Sequence, residues 1–495
     1  MPRRARFALA TLAALAPLLG GAAERPRTVT ILYLADLGAT VEPCGCSENQ
    51  RGGLPRLATA VEKVRREGNE VVLLGGGDLL FEGPLADDRR PADLAKARVV
   101  AEALRSMGLA GSVRGERDLA AGGDFLRKLR LPFSEGGRQG PVAYGVPGRV
   151  PRAPIRVGIL HRGGTRAALP LAEQARAQGL TLLLAAHREK LTDDDLDRAV
   201  LDAAVPVVQV QGRGQSLARI DVRLAGDPAR GFAVLPGTAQ REEELSLLEL
   251  RAGEYRRRQE AADAAGNLDL SRALAAKVAE LAERARAERA APPPAPPDDR
   301  PSLTVSFIPI SADLPEEPRL RRLVTRHYGE VARMNLAAAR KQGRPCPDPR
   351  VDQAAIIGLD TAPPGGRSAC QDCHPAAVAQ WRGTSHARAY ATLEQGPKGP
   401  RQFDLDCVGC HVTGWGAPGG ACNVAAVEGR KDVQCESCHG PASLHAVDPP
   451  GHILRSPGED RCRTCHTPEH STAFEWEGYR ARILGPGHGA PGRGG

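Results

Sequence analysis

The amino-acid sequence predicts two folded parts of different class. An α/β layered domain comes first, and a helical spacer connects it to a mostly α, irregular C-terminal domain organised around bound groups. Three observations carry this prediction. Between Thr28 and Leu224, apolar runs rich in β-formers alternate with amphipathic stretches of helical period. Residues 291–301 read APPPAPPDDRP, an extended polyproline-like linker. Beyond it, nine of the 12 cysteines fall between Cys370 and Cys465, where regular periodicity is lost.

Composition sets the outer limits. With 495 residues, 41% hydrophobic and 25% charged, the chain has the balance of a soluble globular protein and not of a disordered or membrane-spanning one. Aromatic residues make up only 3%, so part of the core must be small aliphatic side chains or a cofactor. The 67 Lys and Arg against 59 Asp and Glu give a formal charge of +8. No basic block is interleaved with aromatics, so nucleic acid is not an expected partner.

Residues 1–23 place Arg3, Arg4 and Arg6 before an apolar run from Phe7 to Leu19 and then the small residues Gly21, Ala22 and Ala23. That is the layout of a signal peptide, and it predicts an exported, periplasmic, soluble protein. No later stretch reaches the roughly 18 apolar residues of a membrane span. Residues 24–238 form the α/β part, with strands in TVTILYLA, EVVLLGG, IRVGIL, LTLLLAA and VPVVQV and helices in LPRLATAVEKVRREG and PADLAKARVVAEALRSMG. Residues 239–290 predict a long charged helix or helical hairpin with Leu270, Leu274, Val278 and Leu281 on one face. After the linker, residues 302–360 predict a strand, SLTVSFIPI, and a helix, PRLRRLVTRHYGEVARMNLAAARK, before the cysteine-rich segment 361–495.

That segment repeats one unit four times: Cys370-x-x-Cys373-His374, Cys407-x-x-Cys410-His411, Cys435-x-x-Cys438-His439 and Cys462-x-x-Cys465-His466. Two thiols with two residues between them reach the two vinyl groups of one haem as thioethers, and the adjacent His then lies under the ring to bind iron. The units therefore predict four covalently attached haem c groups, with His374, His411, His439 and His466 as proximal ligands. Cys407, Cys410, Cys435 and Cys438 could by spacing also form a tetrathiolate zinc site, but zinc does not require a His after every second Cys. For the second axial position, His386 and His445 are the leading candidates, followed by His488 and His452, with His470 less favoured. A haem without a distal protein ligand would be open to a small molecule.

Cys44, Cys46, Cys346 and Cys422 remain. An exported protein seldom keeps four thiols, and Cys346 with Cys422 is the expected disulfide. Cys44 and Cys46 are too close to pair with each other without strain.

Through CQDCHPAAVAQWRGTSHARA, CVGCHVTGWGAPGG, CESCHGPASLH and CRTCH followed by FEWEGYRARI, the C-terminal segment resembles the tetrahaem cytochrome c-554 family. The resemblance implies mainly bis-His haems in close stacked pairs and an electron-transfer role between redox partner proteins. It places His386 and His445 at distal-ligand positions. Through TILYLADLG, GGLPRLATAVEKVR, VVLLGGGDLL and RGERDL, the N-terminal part resembles the metallophosphoesterase domain of periplasmic 5′-nucleotidases. That resemblance implies a two-metal centre that activates water. Asp36 and Asp78 match its ligands, but Gly38 stands in place of one His, Glu116-Arg117 replaces Asn-His, and Gly212-Arg213-Gly214 stands near the last histidine motif. Hydrolysis is therefore not expected, and Asp36, Cys44, Cys46 and Asp78 form the candidate N-terminal metal or redox site.

The leading expectation is an exported tetrahaem electron carrier with a non-catalytic phosphoesterase-like domain. The alternatives are an oxidoreductase acting on a small nitrogen-type substrate at an open haem, and a metal-dependent phosphoesterase with a haem appendage.

Overall fold

The computed structural model describes residues 27–43, 51–134, 142–145, 155–161, 168–186, 198–290, 295–342, 346, 353–359, 369–396, 401–467, 471 and 474–485, less positions 88, 202, 211, 228–229, 236–237, 265 and 455. Cys44, Cys46, His470 and His488 lie outside the described residues, as do residues 1–26, the expected signal peptide among them.

Among the described residues, the α/β part holds twelve strands: β1 Arg27–Leu34, β2 Glu70–Gly75, β3 Leu109–Val113, β4 Phe133–Ser134, β5 Val142–Gly145, β6 Arg156–Leu160, β7 Leu182–Ala185, β8 Arg198–Leu201, β9 Val207–Val210, β10 Ser216–Leu224, β11 Ala233–Val234 and β12 Ser302–Pro309. They form a seven-stranded sheet in the order β11-β12-β10-β1-β2-β3-β4 and a five-stranded sheet in the order β5-β6-β7-β9-β8. β1 to β4 run parallel, whereas β10 is antiparallel to both β1 and β12.

The sheets pack face to face, which explains why their strands are apolar on both faces. From β1, Val29, Ile31 and Tyr33 meet Val157, Ile159, Leu182 and Leu184 of the second sheet. The Tyr33 hydroxyl donates to the Ala185 carbonyl at 3.0 Å across that interface. On the opposite face of β1, Leu32 and Leu34 pack against the helices α1 Leu54–Arg65 and α2 Arg90–Ser106 and the helix Pro318–Gln342. Ala172 and Ala175 of the helix Ala172–Ala177 cover the outer face of the second sheet. The result is a four-layer arrangement, helix, sheet, sheet, helix, which refines the expected layered α/β class. Truncating one of the fully buried leucines, such as Leu32→Ala, would cost about 2–5 kcal/mol.

Residues 239–290 form a hairpin of two helices, Thr238–Ala264 and Leu268–Ala290. The buried residues of the second helix are Ser271, Leu274, Leu281 and Ala285, while Leu270 is 46% exposed, so Leu270 does not share the stripe expected of it. The strand beyond the Pro-rich segment, β12, returns into the first sheet between β10 and β11. The helix Pro318–Gln342 then leads to the C-terminal region and packs on both parts. Its Leu320, Leu323 and Val324 join the α/β core, and its Ala339 joins a cluster with Tyr390, Leu393, Val408 and Val412. Cys346 and Cys422 are joined by a disulfide, as expected.

Candidate functional site

Each CxxCH unit begins on a short helical turn: Ala369–Cys373, Leu405–His411, Cys435–His439 and Glu459–Arg463. One helical turn brings the two cysteines of a unit to the same side of the backbone. None of the eight cysteines is disulfide-bonded. The thiols of Cys370 and Cys435 lie close enough to shift each other's ionisation, which brings the first and third units together. Cys438 lies close enough to Cys462 and Cys465 to feel their charge, and burial pushes its thiol up to about 11.

The histidines form two facing pairs. The rings of His374 and His445 stack with centroids 6.4 Å apart, and those of His386 and His466 lie 6.3 Å apart. Two imidazole nitrogens each about 2 Å from one metal ion would leave ring centroids about 6 Å apart, so both spacings fit a single iron between the rings. His386 sits in a 3-10 turn, Ser385–Arg388. Two bonds hold the turn: Val433 N donates to the His386 carbonyl at 3.1 Å, and Trp381 Nε1 donates to the Val433 carbonyl at 2.7 Å. His445 Nδ1 bonds to the His452 carbonyl at 2.9 Å. His452 thus serves this site through its backbone. His466 Nδ1 lies 3.1 Å from Ser471 Oγ, and His411 Nδ1 lies 2.5 Å from the Ala389 carbonyl. In each case the occupied Nδ1 leaves Nε2 as the ring nitrogen available to a metal. Burial lowers the pKa of His386, with His466 adding to the effect, and burial lowers that of His466 too. Both are therefore held as neutral imidazoles, the form that ligates.

Sequence reading missed Glu436, inside the third unit. It is buried, and its carboxylate accepts from Gly358 N at 2.7 Å, Ala442 N at 2.8 Å and Ile357 N at 3.0 Å. It therefore ties the His445 helix and segment 353–359 to the CxxCH turn. No periodic pattern announces such a residue, because its partners are backbone groups.

At the carboxyl ends of β1, β2, β3 and β6 stand Asp36, Asp78, Glu116 and His161, the edge where open α/β sheets place their sites. Asp36 and Asp78 both adopt φ of 52°, a left-handed conformation that Asp tolerates better than most residues. Buried Asp118 fixes the Asp78 loop, accepting from Asp78 N and Leu79 N at 2.8 Å and from Leu80 N and Gly115 N at 2.9 Å. Burial raises its pKa to about 6 against those donors. Two glycines are obligatory here. A Cβ at Gly77 would lie 2.6 Å from His161 Nδ1, and one at Gly115 would lie 2.0 Å from Asp78 Oδ1.

Arg117 occupies the centre. Its Nη1 donates to Asp36 Oδ1 at 3.1 Å, its Nε is 3.5 Å from Asp78 Oδ2, and its backbone N donates to Asp78 Oδ1 at 2.9 Å. Arg213 pairs with Glu82 and stands beside Gly38, where an added Cβ would lie 3.7 Å from its Nε. Asp36 and Asp78 thus converge as expected, but on a guanidinium. The structure adds His161 and Glu116 to Asp78. The only trace of His161 in the sequence is its position just after the apolar strand RVGIL.

Residues 369–440 match the family model described as cytochrome c554 and c-prime. The C-terminal segment is cytochrome c-554-like. A curated relative, cytochrome c-554 of Nitrosomonas europaea, is 31% identical over 151 residues, covering 24% of this chain and 63% of its own length. This chain therefore spans under two thirds of that relative. The reduced-state structure of cytochrome c554 from the same organism is 24% identical over 26% of this chain and 83% of its own, with a TM-score of 0.21. Among solved structures similar to the α/β part are a 5′-nucleotidase precursor from Thermus thermophilus, 12% identical, covering 63% of this chain and 60% of its own (TM-score 0.35), and a sulfate thiohydrolase SoxB from the same species, 13% identical, covering 61% and 60% (TM-score 0.33). The cytochrome c-554-like segment implies covalently bound haem c and redox partners. Among the described residues, no helix is long and apolar enough to cross a membrane.

Proposed function

We propose that the protein is an exported tetrahaem c-type cytochrome that carries electrons between redox partners, and that its α/β domain is a scaffold without hydrolytic activity. The observation that carries this reading is the two pairs of neighbouring imidazoles, His374 with His445 and His386 with His466, at ring separations compatible with one iron in each. Bound haem c iron supplies one-electron redox chemistry. The chain's own residues do the rest. Cys370 with Cys373, Cys407 with Cys410, Cys435 with Cys438, and Cys462 with Cys465 each tether one ring. His374, His411, His439 and His466 bind from the proximal side. His445 would serve as a second ligand to the first haem and His386 to the fourth. The carbonyls of Ala389 and His452 orient two of these rings and Ser471 Oγ a third, which raises their basicity as ligands. Adjacency of the first and third units through Cys370 and Cys435, and of the third and fourth through Cys438, supports electron passage along the haems. In the α/β domain, the Arg117 guanidinium between Asp36 and Asp78 supports a non-hydrolytic role.

The test is a haem count on the matured protein together with optical spectra, oxidised and reduced, with and without carbon monoxide. Four haems with the first and fourth low-spin are expected. Fewer than four, or carbon monoxide binding at either of those two, would refute the assignment.

A further inference from the structure

The N-terminal cluster does not fit a two-metal centre. A second ion beside Asp36 would have to share the space of the Arg117 guanidinium, already 3.1 Å from Asp36 Oδ1. A cation built into the chain stands there, and no step through a metal pair follows.

The other half of the cluster has different chemistry. Asp78, Glu116 and His161 are the grouping of three His, Cys, Asp or Glu side chains whose ligand atoms come within 4.8 Å of one another among the described residues. His161 Nε2 is 3.4 Å from Asp78 Oδ2 and 3.9 Å from Glu116 Oε2. Ligand atoms at about 2.0–2.1 Å around one tetrahedral zinc ion stand about 3.3 Å apart, so the His–Asp spacing already matches and the half-exposed Glu116 has a short distance to close. His161 is buried, and its Nδ1 donates to the Gly76 carbonyl at 2.6 Å. That bond fixes the tautomer and aims Nε2 at the two carboxylates, the outer support typical of a metal-ligating His. The left-handed Asp78 and the cradle of four N–H donors on Asp118 hold the second ligand in place before any ion arrives.

We infer that Asp78, Glu116 and His161 form a mononuclear site for a divalent cation of the zinc class, with Arg117 replacing a second ion. Three protein ligands leave the fourth position to water. The site is independent of the haem reading, because it shares no residue with the C-terminal units.

The experiment is equilibrium dialysis of the full, haem-loaded chain against zinc, with zinc and iron counted separately by elemental analysis. Wild type should hold one zinc per chain beyond what the His161→Ala variant holds. Glu116→Gln, at a half-exposed side chain that does not threaten folding, should weaken zinc binding by more than about tenfold, since even a lost supporting partner has that effect. Equal zinc in wild type and Glu116→Gln overturns the inference, as does no zinc in wild type. Asp36→Asn, which touches only the Arg117 side, should keep the zinc, and its loss there would also count against the assignment.

Discussion

His386 and His466 present their rings to each other at 6.3 Å, one from a turn hung on Val433 and the other from the last CxxCH unit. The chain thus brings a histidine that precedes three of the four units beside the histidine of the fourth, where the proposed fourth haem would bind. His386→Ala should convert that haem alone from low-spin to high-spin and open it to carbon monoxide. Optical and paramagnetic resonance spectra check this, and an unchanged low-spin signal would mean that another ligand serves the haem bound by His466.

Glu42 ties the two parts together. Its side chain, 3% exposed, pairs with Arg321 of the helix Pro318–Gln342 and with Arg401 of the C-terminal region, and Arg401 lies over the Tyr328 ring. Glu42→Gln removes the carboxylate that Arg401 and Arg321 share, leaving Arg321 to Glu316, and should lower stability by about 3 kcal/mol. Denaturant midpoints of the two proteins check it.

The Cys346–Cys422 disulfide closes a loop with a sequence separation of 76. Replacing both cysteines by serine should cost about 2–4 kcal/mol, mostly through the freed unfolded chain. A thermal melt of the double variant, with the haem count unchanged, reads the loss. An unshifted melt would mean that packing alone holds the ends together.

His327, in the helix Pro318–Gln342, is 2% exposed, and neither ring nitrogen has a hydrogen-bond partner among the described residues. Burial lowers its pKa to about 4, with the charges of Lys96 and Arg401 acting in the same direction and Asp404 opposing them. The folded state therefore keeps His327 neutral where the unfolded chain takes up a proton. The contribution of His327 to stability should be constant above about pH 6.5 and fall as the pH drops from there towards 4, by on the order of 3 kcal/mol. Comparing acid unfolding of wild type and His327→Phe checks it, because the variant should lose that part of the pH dependence.

The layered α/β class, the helical hairpin, the four CxxCH units and the cysteine pair Cys346–Cys422 were all legible in the order of residues. These are local or compositional signals: period-2 and period-3.6 patterning, a fixed spacing of thiols, and the rarity of free thiols in an exported chain. Whatever depends on which distant residues meet became readable only in the folded chain. Folding paired His445 with His374 and His386 with His466. It gave His452 a role through its carbonyl, which no side-chain motif encodes. It brought β12 back into the first sheet across the Pro-rich segment, because hydrogen bonding between strands is blind to sequence separation. It also set Arg117 between Asp36 and Asp78 and put His161 beside Glu116, residues from four different strand ends. Sheet topology, and not chain order, determines which loops share an edge.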